Sequence, residues 1–432
     1  MGAQPVTDAA GPPADDTARA SARAHAYGAA AHAARESYAK LVAVLAASTG
    51  DLALAEDALA DAFAAALERW PTSGIPDNPE GWLITVARNR QRDAWKSAAA
   101  RTSAPLDDAA EAEAAASVTG RGGVLLDPFD DVDPLRIPDK RLELCFACAH
   151  PAIDPAARTP LILQAVLGFD AGRIAAAYAI PTATMAQRLT RAKRRIARAR
   201  IPFAVPDRRD LSERLPAVLE AVYGCAAITW RDDADSLAGE ARHLALTLAR
   251  LLEREPEAWA LAALVTLSLA RRRSGPYIPI DEQSPTSWDD RLIDEGETHL
   301  RRAAALRGSD RPGRFELEAA IQAAHLDRRR TGSTDWAALR TLYSALLVVA
   351  PSLGARVAAA AVIGRTDGTS AGLAALPPGG DAFQPWWATR ADLLGRAGRD
   401  AEADAAYVRA IELTQEPELR TFLEGRRRTI RT

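Results

Sequence analysis

The chain has 432 residues, of which 48% are hydrophobic and 26% are charged. It is therefore long enough for two or three domains with their own cores, and disorder over most of its length is excluded. The absence of any run of about 18 apolar residues excludes a membrane-spanning helix, and the acidic, Ala- and Pro-rich N-terminus is unlike a signal peptide. Three cysteines are too few for a disulfide framework, so we expect a cytoplasmic protein. The net charge of −3 excludes a globally basic nucleic-acid coat protein but allows a local basic patch.

Apolar residues recur at three- and four-residue spacing along almost the whole chain, and alternating strand-like runs are nearly absent. This pattern predicts an all-α fold. We expect five segments: a disordered N-terminus (1–24), a helical bundle (25–102), a linker (103–139), a second helical block (140–206) and an extension of helical repeats (207–432). The linker holds nine acidic residues and two basic ones, which is typical of an extended, charged tether.

The clearest internal repeat lies near the C-terminus. A large residue begins one helix, a glycine turns the chain, and a small residue lets a second helix approach. The residues that carry this pattern are Trp387, Leu394, Gly398, Ala403, Tyr407 and Ala410. Their spacing matches a tetratricopeptide unit, and the stretches 336–364 and 259–273 are looser candidates.

The sharpest signal for function is a helix-turn-helix pattern in the second block. A short helix over 169–178 is followed by a turn at 179–181 and by a second helix that Thr182 is expected to cap. Leu189, Ala192 and Ile196 form its inward stripe. The residues expected to contact DNA are Thr182, Thr184, Gln187, Arg188, Arg191, Lys193, Arg194 and Arg195. The alternative is a solvated basic face on a bundle helix.

A second basic helix, over 82–96, mixes basic residues with tryptophans, and Leu83, Val86 and Ala87 are expected to face inward. Basic residues beside aromatic rings suit single-stranded DNA, because unstacked bases lie on the rings. The candidate residues are Trp82, Arg88, Asn89, Arg92, Trp95 and Lys96. The alternative is an ordinary amphipathic core helix.

The helix over 51–70 carries an acidic face. Leu59, Phe63, Leu67 and Trp70 are expected to be buried, and Asp57, Asp61 and Glu68 line the other side. Carboxylates spaced four residues apart repel each other in an isolated helix, so a basic partner is one explanation for the stripe. A merely solvated face is the other.

Together these residues resemble a known family. Glu56-Asp57-Ala58, Phe63, Trp70-Pro71 and the segment 79–93 resemble the sigma-2 domain of extracytoplasmic-function sigma factors, and the helix-turn-helix ending at Ile196 resembles their sigma-4 domain. The segments 215–223, 281–289 and 315–325 resemble the extension of a subgroup with C-terminal helical repeats. Where that subgroup has an Asn-Arg pair, this chain has Ala355-Arg356.

The resemblance implies a promoter-specificity subunit that binds core RNA polymerase. By carry-over, the acidic helix docks on the polymerase clamp helices, the helix 82–96 with the loop 71–80 opens and reads the −10 element, and the helix-turn-helix reads the −35 element as duplex. The acidic linker runs through the RNA exit path. A DNA-binding transcriptional activator with a repeat domain for protein interaction or sensing is the competing hypothesis.

The extension is close to balanced in charge. Residues 211–432 carry 29 basic and 31 acidic residues, so they have little electrostatic reason to hold DNA. We expect the extension to be a regulatory module that contacts the chain's own sigma domains or the polymerase, with the apolar loop 274–283 packing on that partner.

The remaining signals indicate no chemistry. Cys145, Cys148 and His150 are close in sequence but lack a fourth metal ligand nearby, and the cysteines have core spacing. Glu316, Glu318 and His325 lack a nucleophile. We therefore expect no enzyme activity, no catalytic residues, no metal and no cofactor.

Overall fold

The computed structural model describes residues 14–102, 137–229, 235–272 and 275–430. In these residues the protein contains nineteen α-helices, one short 3₁₀ helix and no strand, which confirms the all-α prediction. The chain divides into two compact units, a first unit, Met1–Cys225, and a repeat unit, Ala226–Thr432. The linker expected at 103–139 lies outside the described residues as far as residue 136.

The first unit contains eight helices. They are α1 (Ala14–Thr49), α2 (Leu52–Ser73), α3 (Pro79–Thr102), α4 (Ile137–Cys148), α5 (Pro155–Ala165), α6 (Ala171–Ala177), α7 (Thr182–Ala199) and α8 (Arg208–Ile228), whose last residues pass into the next unit. The helices α1, α2 and α3 pack on one another, α4 packs against α1, and α5 and α6 pack against α7. Residues 14–24, for which the sequence predicts disorder, are helical, and their alanine-rich sequence favours this conformation.

Side-chain caps determine where many helices begin. Asp51 accepts a hydrogen bond from the backbone N–H of Leu54 at 3.1 Å, and α2 ends at Gly74, which has φ +84°. Asp154 accepts from the N–H of Ala156 ahead of α5, where Pro155 occupies the first turn.

The first unit extends further along the chain than the sequence predicts. The extension is expected from residue 207, yet most of α8 belongs to the first unit. The Thr159 hydroxyl donates to the Ala217 carbonyl at 3.4 Å, and Gly224 approaches the side chain of Leu163. The helix α8 therefore completes the packing of α5.

The repeat unit is built from helix pairs. Its helices are α9 (Asp235–Leu251), α10 (Pro256–Ala270), α11 (Asp290–Arg307), α12 (Arg314–Leu326), α13 (Arg328–Thr331), α14 (Trp336–Val349), α15 (Leu353–Thr366), α16 (Thr369–Ala375), α17 (Gln384–Arg396), α18 (Asp400–Glu412) and α19 (Pro417–Ile430), with the 3₁₀ helix at Pro285–Ser287. From α10 onward, each helix packs mainly on helices that are neighbours or near neighbours in sequence, as in a solenoid.

The helix pair predicted near the C-terminus is present as α17 and α18. Gly398 makes the turn with φ +69°, and Leu394, Ala403 and Tyr407 are buried in the core between the two helices. The helices α15 and α16 pack still more closely, because a Cβ on Gly372 would lie 2.8 Å from the Cα of Gly364. Small residues therefore set the spacing between these helices.

Candidate nucleic-acid interface

The helices α6 and α7 form the helix-turn-helix. Asp170 caps α6 by accepting hydrogen bonds from the N–H groups of Gly172 at 2.8 Å and Arg173 at 2.9 Å. The turn passes through Ala179, which has φ +52° in the left-handed region. The N-cap of α7 is Pro181, which offers no capping side chain, and Thr182 is the first helical residue. The expected threonine N-cap is therefore wrong.

One face of α7 is buried and the other is polar. Met185, Leu189, Ala192 and Ile196 face the core, which adds Met185 to the predicted stripe. The exposed candidate residues on the rest of the helix are Thr182, Thr184, Gln187, Arg191, Arg194 and Arg195. The helix therefore presents hydroxyl, amide and guanidinium groups from a rigid, well-anchored base.

Two arginines of α7 also hold it against its neighbours. The Arg188 Nη1 donates to the Ala156 carbonyl at 3.3 Å, and the Arg195 Nε donates to the Ala152 carbonyl at 3.2 Å. Arg191 and Arg194 form no hydrogen bond or ion pair through their side chains within the described parts of the chain. Among the predicted DNA-contacting residues, they are the basic groups of α7 whose side chains are most available to an external anion.

Lys193 lies apart from the other candidates. Its Nζ contacts both carboxylate oxygens of Glu56 on α2, at 2.8 and 2.6 Å, and the two side chains are only 14% and 18% exposed. Lys193 follows the buried Ala192, so it points toward α2 at the edge of the apolar face. The structure therefore does not bring Lys193 to the face that carries Arg191, and sequence periodicity cannot reveal a partner 137 residues away.

The helix α3 presents a mixed surface. Asn89 is exposed, Arg88 and Arg92 are half-buried, and the Arg92 Nη1 donates to the Asn89 Oδ1 at 3.4 Å. The Trp82 ring packs edge-on against the buried Trp70 ring at 5.5 Å. Core packing therefore occupies part of the Trp82 ring.

Two further points concern the same helix. The side chains of Trp95 and Lys96 lie outside the described residues, although both positions are helical. Leu83 and Ala87 face the core as predicted, whereas Val86 is half-buried. Gln91 takes a buried position instead, and its Nε2 donates to the Leu45 carbonyl at 3.5 Å. The apolar pattern could not indicate a buried glutamine.

The acidic residues of α2 lie on the outside. Asp57, Asp61 and Glu68 are exposed, opposite the buried Leu59 and Trp70. Phe63 and Leu67, expected in the core, are half-buried, and the Phe63 ring stacks on Tyr38 at 6.4 Å. Burial, followed by the charges of Glu56 and Asp57, raises the pKa of Tyr38 to about 12.

Cys145 and Cys148 are fully buried on α4. Burial raises the pKa of the Cys145 thiol to about 12, and the pKa of Cys148 rises for the same reason. His150 uses its Nδ1 to accept a hydrogen bond from the Ala152 N–H at 3.0 Å. No group of three or more potential metal ligands occurs in the residues that the structure describes.

Known proteins match different regions of the chain. Residues 17–101, which correspond closely to α1–α3, match the model of sigma-70 region 2. An uncharacterised protein of Rhizobium meliloti (strain 1021), R00370, is 33% identical over 377 residues, which is 84% of this chain and 86% of that protein. A probable ECF RNA polymerase sigma factor, SigI of Mycobacterium tuberculosis, is 33% identical over 156 residues, or 36% of this chain and 50% of that protein.

The chain is an extracytoplasmic-function sigma factor with a C-terminal extension. As a sigma factor it acts in transcription initiation, by binding core RNA polymerase and promoter DNA. Residues 214–304 match a family of unknown function (DUF6596). The matched segment begins in α8 and ends in α11. No solved structure gives a significant match. Among the described helices of the sigma factor, none is long and apolar enough to cross a membrane.

Proposed function

We propose that this sigma factor selects its promoters with two surfaces of the first unit and contacts the polymerase with a third. The observation that carries the proposal is the arrangement of α7. The helix follows a turn in which Ala179 has a left-handed backbone conformation. One side of the helix is a buried apolar stripe, and the exposed side bears arginines and no carboxylate. Such a helix fits the major groove of duplex DNA.

The exposed face of α7 is the proposed −35 reader. Thr182, Thr184 and Gln187 offer short hydrogen-bonding groups near the helix start, where a recognition helix meets base edges. Arg188 and Arg191 lie further along, and Arg194 and Arg195 suit the flanking phosphates. Lys193 is held by Glu56 in this structure, so we assign it no DNA contact while that ion pair is formed.

The helix α3 is the proposed −10 reader, with Arg88, Asn89 and Arg92 as its described polar groups. Trp82 supports this surface through its contact with Trp70. Trp95 and Lys96 complete the proposed surface by their position in the helix.

The exposed carboxylates of α2 are the proposed polymerase contact. Asp57, Asp61 and Glu68 stay exposed on a helix whose other side is buried. Uncompensated carboxylates in a row favour a basic partner, which we take to be the clamp helices of the largest polymerase subunit.

We further propose that the repeat unit regulates the sigma domains. Helical repeats stack into surfaces that bind protein segments, and the near-balanced charge of residues 211–432 gives little reason for DNA binding. The activator hypothesis differs in one measurable respect. An activator binds promoter duplex by itself, whereas a sigma factor of this kind needs core enzyme.

The test is run-off transcription from the chain's own upstream region with purified core polymerase. Full-length protein should support initiation, and the isolated protein should bind the same duplex poorly. Tight duplex binding without polymerase, together with no transcription from core enzyme, would favour the activator. A protein truncated after Thr229 keeps α8 and its contacts with α5. If it transcribes like the full chain under every condition, the regulatory role is removed.

A further inference from the structure

The segment 277–283, here called the strap, lies across several helices of the repeat unit. The sequence predicts that this loop packs on the sigma domains or the polymerase, whereas the structure places it on helices of its own unit. The Tyr277 ring packs edge-on against the Phe422 ring of α19 at 5.2 Å. Most of the strap is half-buried, so it lies in the surface of the unit and not in its core.

Two ion pairs attach the strap to the helices beneath it. The Asp281 carboxylate contacts the Arg365 guanidinium of α15 at 2.5 Å, and Glu282 pairs with Arg426 of α19. The four side chains are between 21% and 45% exposed. Water screens ion pairs of this kind, so each contributes little to holding the strap in place.

An arginine side chain also binds the backbone of the strap. The Arg328 guanidinium donates to the carbonyls of Ile280 at 3.0 Å, Asp281 at 2.5 Å and Gln283. The guanidinium carbon lies 5.2 Å from the centre of the Trp288 ring, which positions it. The Arg328 guanidinium therefore adds to the contacts that hold the turn at 280–282 in place.

Beside the strap is a cavity of about 300 Å³. Its walls come from α12, α14, α15, α17, α18 and α19, and they include the aromatic rings of Trp336, Tyr343 and Tyr407. Strap residues 277 and 279–282 also line this cavity, so the strap leaves part of the space between itself and these helices empty. That space and the helix surfaces around it are here called the groove. The groove thus combines an aromatic lining with arginines at fixed positions.

We propose that this groove is a peptide-binding site and that the strap is its internal ligand. The partner that it fits is a segment of another protein with an aromatic residue followed, four and five residues later, by two carboxylates that lie in a turn. That pattern is the one in which Tyr277, Asp281 and Glu282 engage Phe422, Arg365 and Arg426. Partner binding displaces the strap, so the groove is available only when an acidic segment competes for it.

The competition is feasible because the strap is held by one ring contact, two partly exposed ion pairs and the hydrogen bonds from Arg328, and by no helix or sheet pairing. A tethered segment has an effective concentration on the order of millimolar. Because the strap makes only weak contacts, a peptide from another protein can still compete with it for the groove. This inference concerns the repeat unit alone and does not depend on the proposed promoter contacts.

The experiment uses full-length protein and a fluorescent peptide with the sequence of residues 275–284. The strap-release variant carries Tyr277→Ala, Asp281→Asn and Glu282→Gln. We expect it to bind the peptide at least tenfold more tightly than the wild type, measured by fluorescence anisotropy. Adding Arg365→Met and Arg426→Met to the release variant should weaken binding at least tenfold. A peptide with Asn and Gln in place of the two acidic residues is the matched control and should bind equally weakly.

Each other outcome contradicts the proposal. Equal peptide affinity in the wild type and the release variant means that the strap does not occupy the site. Absence of peptide binding in a folded release variant means that the groove is not a peptide site. Loss of helical circular dichroism in the release variant, and in the milder single variant Asp281→Asn, means that the strap is a part of the core.

Discussion

The arginines of α7 and those of the repeat unit differ in whether a carboxylate pairs with them. In the repeat unit they join helices: Arg242 pairs with Glu295 at 2.5 Å, and the Arg307 Nε contacts the buried Glu316 at 2.9 Å. On α7, within the described residues, Arg191 and Arg194 have no carboxylate partner. An arginine whose charge is already matched stabilises the fold, whereas one kept free of carboxylates is available to phosphates and base edges.

The largest effect should follow from removing the unpaired arginines. We expect the double variant Arg191→Ala/Arg194→Ala to reduce run-off transcription at least tenfold, because a good bidentate base contact, such as the one proposed for Arg191, contributes about 1–3 kcal/mol. Its thermal unfolding should match the wild type. The control is Arg209→Ala, an exposed arginine of α8. Full transcription from the double variant would contradict the role of α7.

The repeat unit should instead respond to acid through a half-buried histidine. Burial, and next the charge of Arg271, lowers the pKa of His325 to about 4. The unfolded chain takes up this proton near pH 6.5 and the folded chain only near pH 4, so stability falls as the pH drops through that window, by up to about 3 kcal/mol.

The measurement for His325 is urea unfolding between pH 7 and pH 4, followed by tryptophan fluorescence. The variant His325→Gln should lose stability less steeply over this range. Identical slopes for both proteins would show that His325 does not couple to folding.

Breaking a paired arginine of the repeat unit should affect stability and not DNA binding. Arg307→Met leaves the Glu316 carboxylate buried without its partner, close to Glu257, which accepts hydrogen bonds from the N–H groups of Phe315 and Glu316. We expect a loss of about 2 kcal/mol in the free energy of unfolding. The exposed Arg291→Met is the control, and an equal loss from it would show that pairing is not the cause.

Lys193 tests the same contrast within α7, because it is a basic residue of that helix that has a carboxylate partner. A double-mutant cycle with Glu56→Gln and Lys193→Met should give a coupling energy of about 1 kcal/mol. Lys193→Met should also retain most of its transcription, unlike Arg191→Ala. If both single variants lose transcription to the same degree, Lys193 leaves Glu56 and contacts DNA in the working complex.

The smallest effect should come from the turn before α7. Ala179 adopts φ +52°, which costs an L-residue roughly 1–2 kcal/mol relative to glycine. After the greater flexibility of glycine in the unfolded chain is subtracted, Ala179→Gly should stabilise the protein by about 0.5–1 kcal/mol. A decrease in the unfolding midpoint would show that the turn is not strained there.

Features that depend on local spacing could be predicted from the amino-acid sequence. Helical periodicity indicated the all-α fold, the stripe of Leu189, Ala192 and Ile196 on α7, and the pair of helices around Gly398. The exposure of Asp57, Asp61 and Glu68 followed in the same way, since a helix turns about 100° per residue and the apolar face fixes the opposite one.

Contacts between residues that are distant in sequence could be identified only from the packing of the helices in the structure. The Glu56–Lys193 ion pair, the Trp70–Trp82 contact and the burial of Gln91 join helices that are separate in sequence. The strap is another contact that the sequence could not assign. Its apolar residues indicated that it packs against a protein surface, but not which surface it covers. Periodicity reports the direction in which a side chain points, whereas the identity of its partner depends on how whole helices pack, and that packing is set by the sum of many weak contacts along the chain.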